Sequence, residues 1–150
     1  PQYVNTYWAT EHGSIVLSHA YGNLSQPLRS DSRMQPLPWA GVEVWVPESN
    51  GRFHPAAENG SEKGLLVCTK PWPSMARTAW GCADELGAPG WRGDVAAFTD
   101  AYYSSFVHAE GTRALALSLG DLAQRWEDGS ISVIGRSREV LRVAGSGEDI

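Results

Sequence analysis

Several things are scarce in this 150-residue chain. It has two cysteines, Cys68 and Cys82, with neither in a Cys-x-x-Cys pair. That excludes a disulfide scaffold and points to the reducing cytoplasm. Basic residues are outnumbered, 12 against 17 acidic ones, for a net charge of −5. No basic stripe suits a nucleic-acid backbone, so nucleic acid is not an expected partner. No apolar run is long enough to span a bilayer and no signal peptide opens the chain, so no membrane partner is expected either. The four histidines, at 12, 19, 54 and 108, lack metal-ligand spacing with one another or with the cysteines. A Gly-x-Ser-x-Gly elbow and a phosphate-cradling glycine loop with a Lys-Ser/Thr pair are missing as well. The chain opens at Pro1 on aromatic sequence and reads as a piece of something longer.

What is abundant is turn formers and large rings. Sixteen glycines and nine prolines imply many turns, and seven tryptophans with five tyrosines suggest a sheet or barrel filled by bulky side chains. Asp128-Gly129 lies between two runs with apolar residues at alternate positions, which predicts a β-hairpin. With those two as the turn, Glu127 faces Ser130, Trp126 faces Ile131, and Asp121 faces Arg136. One face then carries Leu122, Trp126, Ile131 and Val133. The open end sets a carboxylate against a guanidinium, each beside a glycine. Such a pair is either a cross-strand ion pair or a polar clamp suited to ribose hydroxyls.

Elsewhere the pattern gives short strands joined by polar turns. Residues 3–13 begin as a strand and end in a turn at Gly13, and 14–18 is a buried strand. Residues 21–38 are loop. Residues 41–46 alternate with three valines on one face. Asn50-Gly51 is a turn, 54–63 a polar connection, and 64–69 a strand that Pro71 stops. Residues 76–80 suit a short helical turn. Asp94 can cap a helix from Val95 to about Ser105, with Val95, Phe98, Tyr102 and Phe106 on one face. Strands at 113–119 and 139–143 and a linker at 145–147 follow. The whole is mainly β with one or two helices (α+β), a mostly antiparallel sheet or distorted β-barrel. Thr10-Glu11, just after two aromatics, sets a hydroxyl beside a carboxylate. That combination suits a phosphate oxygen with its Mg²⁺, while a surface turn is the more ordinary explanation of the dipeptide alone.

Taken together, these segments resemble the AMP-forming acyl-CoA synthetases of the adenylate-forming superfamily, nearest their acetyl- and propionyl-CoA branch. The resemblance is to the C-terminal part of the large domain. Val4-Asn5-Thr6-Tyr7-Trp8-Ala9-Thr10-Glu11 is similar to the family's aromatic-Trp-Gln-Thr-Glu segment. Trp72 to Thr78 resembles its Trp-Pro-x-x-Ala-Arg-Thr stretch, and Ala101-Tyr102-Tyr103-Ser104 its Tyr-Phe-Ser region. Gly120-Asp121, Glu127-Asp128-Gly129 and Gly135-Arg136 resemble its Gly-Asp, Glu-Asp-Gly and Gly-Arg elements.

The resemblance implies roles. Thr10 contacts the α-phosphate and Glu11 holds Mg²⁺, the two candidate catalytic residues. Asn5 and Thr6 lie along the adenine of the nucleotide, and Asp121 and Arg136 take the ribose. Trp8 floors an acyl pocket sized for a short acid, or is a core tryptophan. It implies a nucleotide- and acyl-site segment at 1–13, a β-barrel subdomain over 14–136, and a hinge or linker over 137–150 leading to a lid domain. The parent would use ATP, a small carboxylate, Mg²⁺ and CoA, passing through acyl-AMP to acyl-CoA and AMP. Its remaining domains would be the chain's partners, and the isolated chain would be inactive and hold no nucleotide tightly. The departures are specific. The phosphate loop and lid lysine are absent, Leu119 replaces Ser or Thr, Arg138 an acidic hinge residue, and Ser146-Gly147 a His-Arg pair. The first reading is a fragment of such a synthetase, and the altered tail after Gly145 favours the alternative, a degenerate non-catalytic module with a structural or protein-contact role.

Overall fold

A computed structural model describes residues 3–19, 28–79 and 93–138. Cys82, the expected strand at 139–143 and the linker at 145–147 lie outside them. Among the described residues there is one helix and the rest is strand and turn, so the mainly β, antiparallel expectation holds. The strands pair as two open sheets, and those residues form no closed ring.

The smaller sheet has the order β1 (Thr6–Ala9), β2 (Ser14–Ser18), β3 (Gln35–Pro36). Residues 10–13 make the turn between the first two, with Gly13 at φ +65°. β1 and β2 slip register between Tyr7 and Trp8, leaving Val16 unpaired. Such a bulge lets neighbours face the same side, and Val16 and Leu17 are both fully buried.

The larger sheet is built on β8 (Arg113–Arg125). On one edge lies β6 (Gly64–Cys68), then β4 (Val42–Pro47) and β5 (Phe53–Pro55). Along the other edge run β7 (Tyr103–Val107) and then β9 (Ile131–Arg136). The central strands are buried on both faces. Val42, Val44, Leu66, Cys68 and Leu117 join Val16, Leu17 and Ile131 in the main core. Trp45, Val67, Phe106 and Ala116 form a second cluster on the opposite face. The two sheets meet where Met34 and Ile131 exchange backbone hydrogen bonds of 2.9 and 2.8 Å.

Several sequence expectations need correction. The helix α1 (Val95–Tyr102) starts under its Asp94 cap, whose carboxylate accepts from the Ala97 N–H at 2.8 Å. It ends three residues early, because 103–107 pairs along β8 from Tyr103↔Leu117 to Val107↔Arg113. Five ladder pairs outweigh the helical period, so Phe106 belongs to the second cluster and Val95 is exposed. Residues 53–55 are strand rather than loop, and Gln35–Pro36 likewise pairs with β2. Residues 76–79 are not a helical turn, since Ala79 bridges Asp94 in extended form. The strand expected at 113–119 and the first hairpin arm are one 13-residue strand.

The hairpin carries a further correction. Its loop is three residues, 127–129, closed by the Trp126 N–H on the Ser130 carbonyl at 2.9 Å. Gly129 takes φ +77°, as the last position of such a loop requires. Arg125 therefore faces Ile131, and Trp126 rather than Glu127 is opposite Ser130. A second slip between Leu122 and Ala123 leaves Ile134 unpaired and restores the expected register. The shifts cancel, and Asp121 faces Arg136 as expected. The buried set changes: Asp121, Ala123, Ser130, Ile131 and Ser132 are buried, with Leu122, Trp126 and Val133 half-buried.

Candidate functional site

β1 and the open end of the hairpin come together at one point. The Tyr7 hydroxyl donates to Asp121 Oδ2 across 114 residues of chain. Arg136 Nε stands 3.2 Å from Asp121 Oδ1, and its Nη1 donates to the Leu119 carbonyl at 2.6 Å. Asp121 is 7% exposed while the Arg136 side chain is half exposed. A carboxylate this buried is tolerable because both of its oxygens are engaged.

Local backbone explains why Asp121 points inward. β8 is irregular against β6 between the pairs Val67↔Ser118 and Leu65↔Leu122, so Leu119, Gly120 and Asp121 face a single residue. Gly120 takes φ +79° there, and its carbonyl accepts from the Ser137 N–H at 2.7 Å. The irregularity turns the carboxylate toward Tyr7.

Thr10 and Glu11 sit on the 10–13 turn, with Thr10 exposed and Glu11 half-buried. The Trp72–Ala76 segment holds this turn from behind. Trp72 Nε1 donates to the His12 carbonyl at 3.0 Å, and the Ala76 N–H to the Glu11 carbonyl at 2.9 Å. Gly13 packs so closely that a Cβ there would stand 1.9 Å from the Ser74 carbonyl oxygen. Two separated sequence motifs are thus one structural unit. The Glu11 carboxylate accepts from the Tyr102 hydroxyl, which raises the Tyr102 pKa.

Trp8 is 62% exposed and lies opposite Ile15, itself exposed. It is not a core residue of the described chain. With Thr6, Ala9, Thr10 and Ser14 these two line an open cleft of about 520 Å³. Asn5 donates its backbone N–H to His19 Nδ1 at 2.9 Å and its side-chain amide to the Ser32 carbonyl at 3.4 Å. Asn5, Thr6, Trp8, Thr10 and Glu11 therefore share one strand and turn, and Tyr7 ties that strand to Asp121 and Arg136.

Three residues of this neighbourhood had no signal in the sequence. Tyr7 looked like another aromatic of a short strand. Burial, and then its bond to Asp121, push its hydroxyl pKa up. His12 is 2% exposed, with Nε2 3.5 Å from Cys68 Sγ and no partner for Nδ1 among the described residues. Burial lowers its pKa, partly offset by the charges of Glu11 and Asp121. Burial also pushes the Cys68 thiol up to about 12, so the pair is a neutral thiol and a neutral imidazole. No cluster of three or more metal-ligating side chains occurs among the described residues. Glu11 alone still fits Mg²⁺, which keeps most of its waters and takes substrate phosphate oxygens beside one or two carboxylates.

No family model matches the chain. Curated relatives do match along nearly all of it. The acetyl-coenzyme A synthetase of Pyrobaculum arsenaticum is 36% identical over 141 residues, covering 94% of this chain and 17% of the relative. That of Syntrophus aciditrophicus is 33% identical over 142 residues, covering 95% and 18%. The chain thus spans less than a fifth of the length of the relatives it matches. Among solved structures, Klebsiella oxytoca NpsA in complex with 3-hydroxyanthranilyl-AMSN superposes with a TM-score of 0.58 at 17% identity, over 95% of this chain and 25% of that one. The anthranilate CoA ligase AuaEII in complex with anthranoyl-AMP gives 0.53 at 20% identity, over 95% and 21%. The structural likenesses establish the fold, and the sequence likenesses bear out the resemblance to acyl-CoA synthetases of the acetyl-CoA branch.

Proposed function

We propose, for a chain akin to a segment of the AMP-forming acetyl-CoA synthetases, that it supplies part of the nucleotide and acyl site of a short-chain acyl-CoA synthetase. The parent would join ATP and a small carboxylate into acyl-AMP, releasing pyrophosphate, and CoA would then displace AMP. The observation that carries this reading is the Tyr7–Asp121–Arg136 group, anchored on the strand that leads into the turn bearing Thr10 and Glu11.

Each role follows from the chemistry of the side chain. Asp121 has further lone pairs beyond those taken by Tyr7 and Arg136, and these can accept from ribose hydroxyls. The half-exposed Arg136 guanidinium can donate to the same sugar. Thr10, exposed on its turn, can reach an α-phosphate oxygen, and Glu11 can hold Mg²⁺ once Tyr102 yields. The ion would supply charge neutralisation at the phosphates. Asn5 and Thr6 would lie along the adenine. The indole of Trp8 would floor the acyl pocket, with the other wall contributed by the rest of the parent. Residues 1–13 would form the site segment, 14–136 the β subdomain, and 137–150 a hinge. A cytoplasmic location belongs to the same proposal.

A second reading rests on a different observation. Asp121 and Glu11 both have partners within the chain already, Tyr7 and Arg136 for one and Tyr102 for the other. A module that had lost its chemistry and kept its scaffold would look the same. Carboxylate-dependent ATP–pyrophosphate exchange, measured on the parent protein and its Asp121→Ala variant, separates the two. The synthetase reading expects exchange with acetate or propionate that the substitution abolishes. The isolated chain should show none, and should bind AMP with a millimolar or weaker Kd, since a few hydrogen bonds of about 1.5–3 kcal/mol oppose an association cost on the order of 4–15 kcal/mol. A parent with no exchange supports the scaffold reading.

A further inference from the structure

Far from this site, His54 lies in the middle of β5, opposite Val46 of β4. Its Nδ1 is 3.3 Å from Glu48 Oε1 and its Nε2 is 3.2 Å from Glu62 Oε1. Ionised carboxylates only accept, so each ring nitrogen needs a proton to be held there. A neutral imidazole has one N–H, so the two contacts together specify the imidazolium. Both carboxylates are fixed independently of the ring. Glu48 Oε2 accepts from Asn50 Nδ2 at 2.9 Å, and Glu62 Oε2 from the Ala57 N–H at 2.8 Å. Of the other charges nearby, Arg52 donates to the Ala109 carbonyl and Glu58 pairs with Arg125.

Glu48 follows β4 in the turn to β5 and Glu62 belongs to the connection before β6, so the ring joins two separate segments. The same connection reaches the hairpin at its other side. Gly60 donates to the Arg125 carbonyl at 2.8 Å and accepts from Gln124 Nε2 at 2.7 Å. Gly60 sits at φ +72°, and a Cβ on it would stand 2.3 Å from the Trp126 ring. The segment is therefore a strap between the β4–β5 hairpin and the arm that leads to Asp121.

We propose that Glu48, His54 and Glu62 form a protonation latch that fastens the 56–62 strap to the β4–β5 hairpin, closed while the ring carries both protons and loosened when one leaves. The latch does not depend on the synthetase reading. The titration directions agree with it. The hydrogen bond to Glu62, then its charge and that of Glu48, raise the His54 pKa above 6.5. The Ala57 N–H and then His54 lower that of Glu62 below 4.5. A raised histidine pKa gives a contribution that is full below the unfolded value and lost as pH rises through the folded one. A lowered carboxylate pKa gives a contribution lost as pH falls through the folded value. The closed window thus extends from below 4.5 to above 6.5. Because the groups are accessible to solvent, salt should weaken the latch.

Imidazole ¹H–¹⁵N correlation spectra of the full chain across pH, with amide hydrogen exchange at Ala57 and Gly60, test the latch. The expected result is a His54 ring that loses its second proton above the ordinary histidine value. Ala57 protection should fall several-fold, after correction for intrinsic exchange, as that ring deprotonates. Glu62→Gln should move the ring's titration downward more than Glu48→Gln, and His54→Gln should flatten the pH dependence of Ala57 protection. A ring that titrates at or below the ordinary histidine value overturns the latch. So does Ala57 protection that is indifferent to His54→Gln.

Discussion

The two sheets bury their side chains differently. In the larger sheet, β4 and β6 are covered on both faces, by the main core on one side and the Trp45–Phe106 cluster on the other. The smaller sheet is one-sided. Val16 and Leu17 go into the core, while Trp8 and Ile15 stay outside with most of an indole in the open. The larger sheet supplies stability, and the smaller presents side chains without needing them for its own folding. The candidate site residues gather on the one-sided sheet and at the hairpin end that Tyr7 ties to it.

Four measurements would break or sharpen that contrast. The largest effect is expected inside the two-sided sheet. Leu117 is 1% exposed, and Leu117→Ala should cost about 2–5 kcal/mol in urea unfolding, the usual range for a buried leucine. A loss below about 1 kcal/mol would mean that this sheet is not the core.

Tyr7→Phe comes next. It removes the donor to a buried carboxylate without changing the ring, and hydrogen bonds to charged groups contribute about 1.5–3 kcal/mol. Equilibrium unfolding should show a loss of that size, with Trp8→Ala as the control. If the two variants were equally stable, the tie between the sheets would carry no energy.

The pH slope is smaller, and His12 gives its sign. Its pKa is lowered by burial, so the folded chain keeps the ring neutral while the unfolded chain takes up a proton below the ordinary value of about 6.5. The contribution is complete above that value and is lost as pH falls. Denaturant unfolding at about pH 7.5 and pH 5.5 should show the chain weaker in acid, and His12→Gln should remove that part of the slope. His54 contributes with the opposite sign, so a His54→Gln background isolates the His12 effect. An unchanged slope in His12→Gln would show that this ring is accessible to protons in the fold.

The smallest change expected in the chain itself is at Trp8. Trp8→Ala should alter unfolding stability by no more than about 0.5 kcal/mol, as exposed positions do. On the synthetase reading, Trp8→Gly in the parent should move the acid preference toward longer chains, at about 0.8 kcal/mol per buried CH₂. A chain-length profile matching the unaltered parent would show that Trp8 does not bound the acyl pocket.

Features of the chain that depend on near neighbours were readable in the sequence. The Asp94 cap, the bulk of β2, β4 and β6, and the hairpin at Asp128-Gly129 each follow from residues a few positions apart. The facing of Asp121 and Arg136 was also expected, though by a simpler route than the one taken. Two one-residue shifts of opposite effect, at the loop and at Ile134, give the same pairing as none. Alternation cannot reveal such a cancellation, because a bulge costs one ladder position and leaves the flanking pattern intact.

Side-chain type and local period thus determined the strand-rich composition, the capped helix and the facing of Asp121 and Arg136 at the open end of the hairpin. Tertiary pairing decided the rest. It ended α1 at Tyr102, because β8 offered Tyr103–Val107 a full ladder. It brought Tyr7 to Asp121, gave Tyr102 to Glu11, and placed His12 under the site against Cys68. The reason is distance along the chain. Partners separated by dozens of residues meet through the packing of whole strands, and no local propensity encodes which hydroxyl arrives beside which carboxylate.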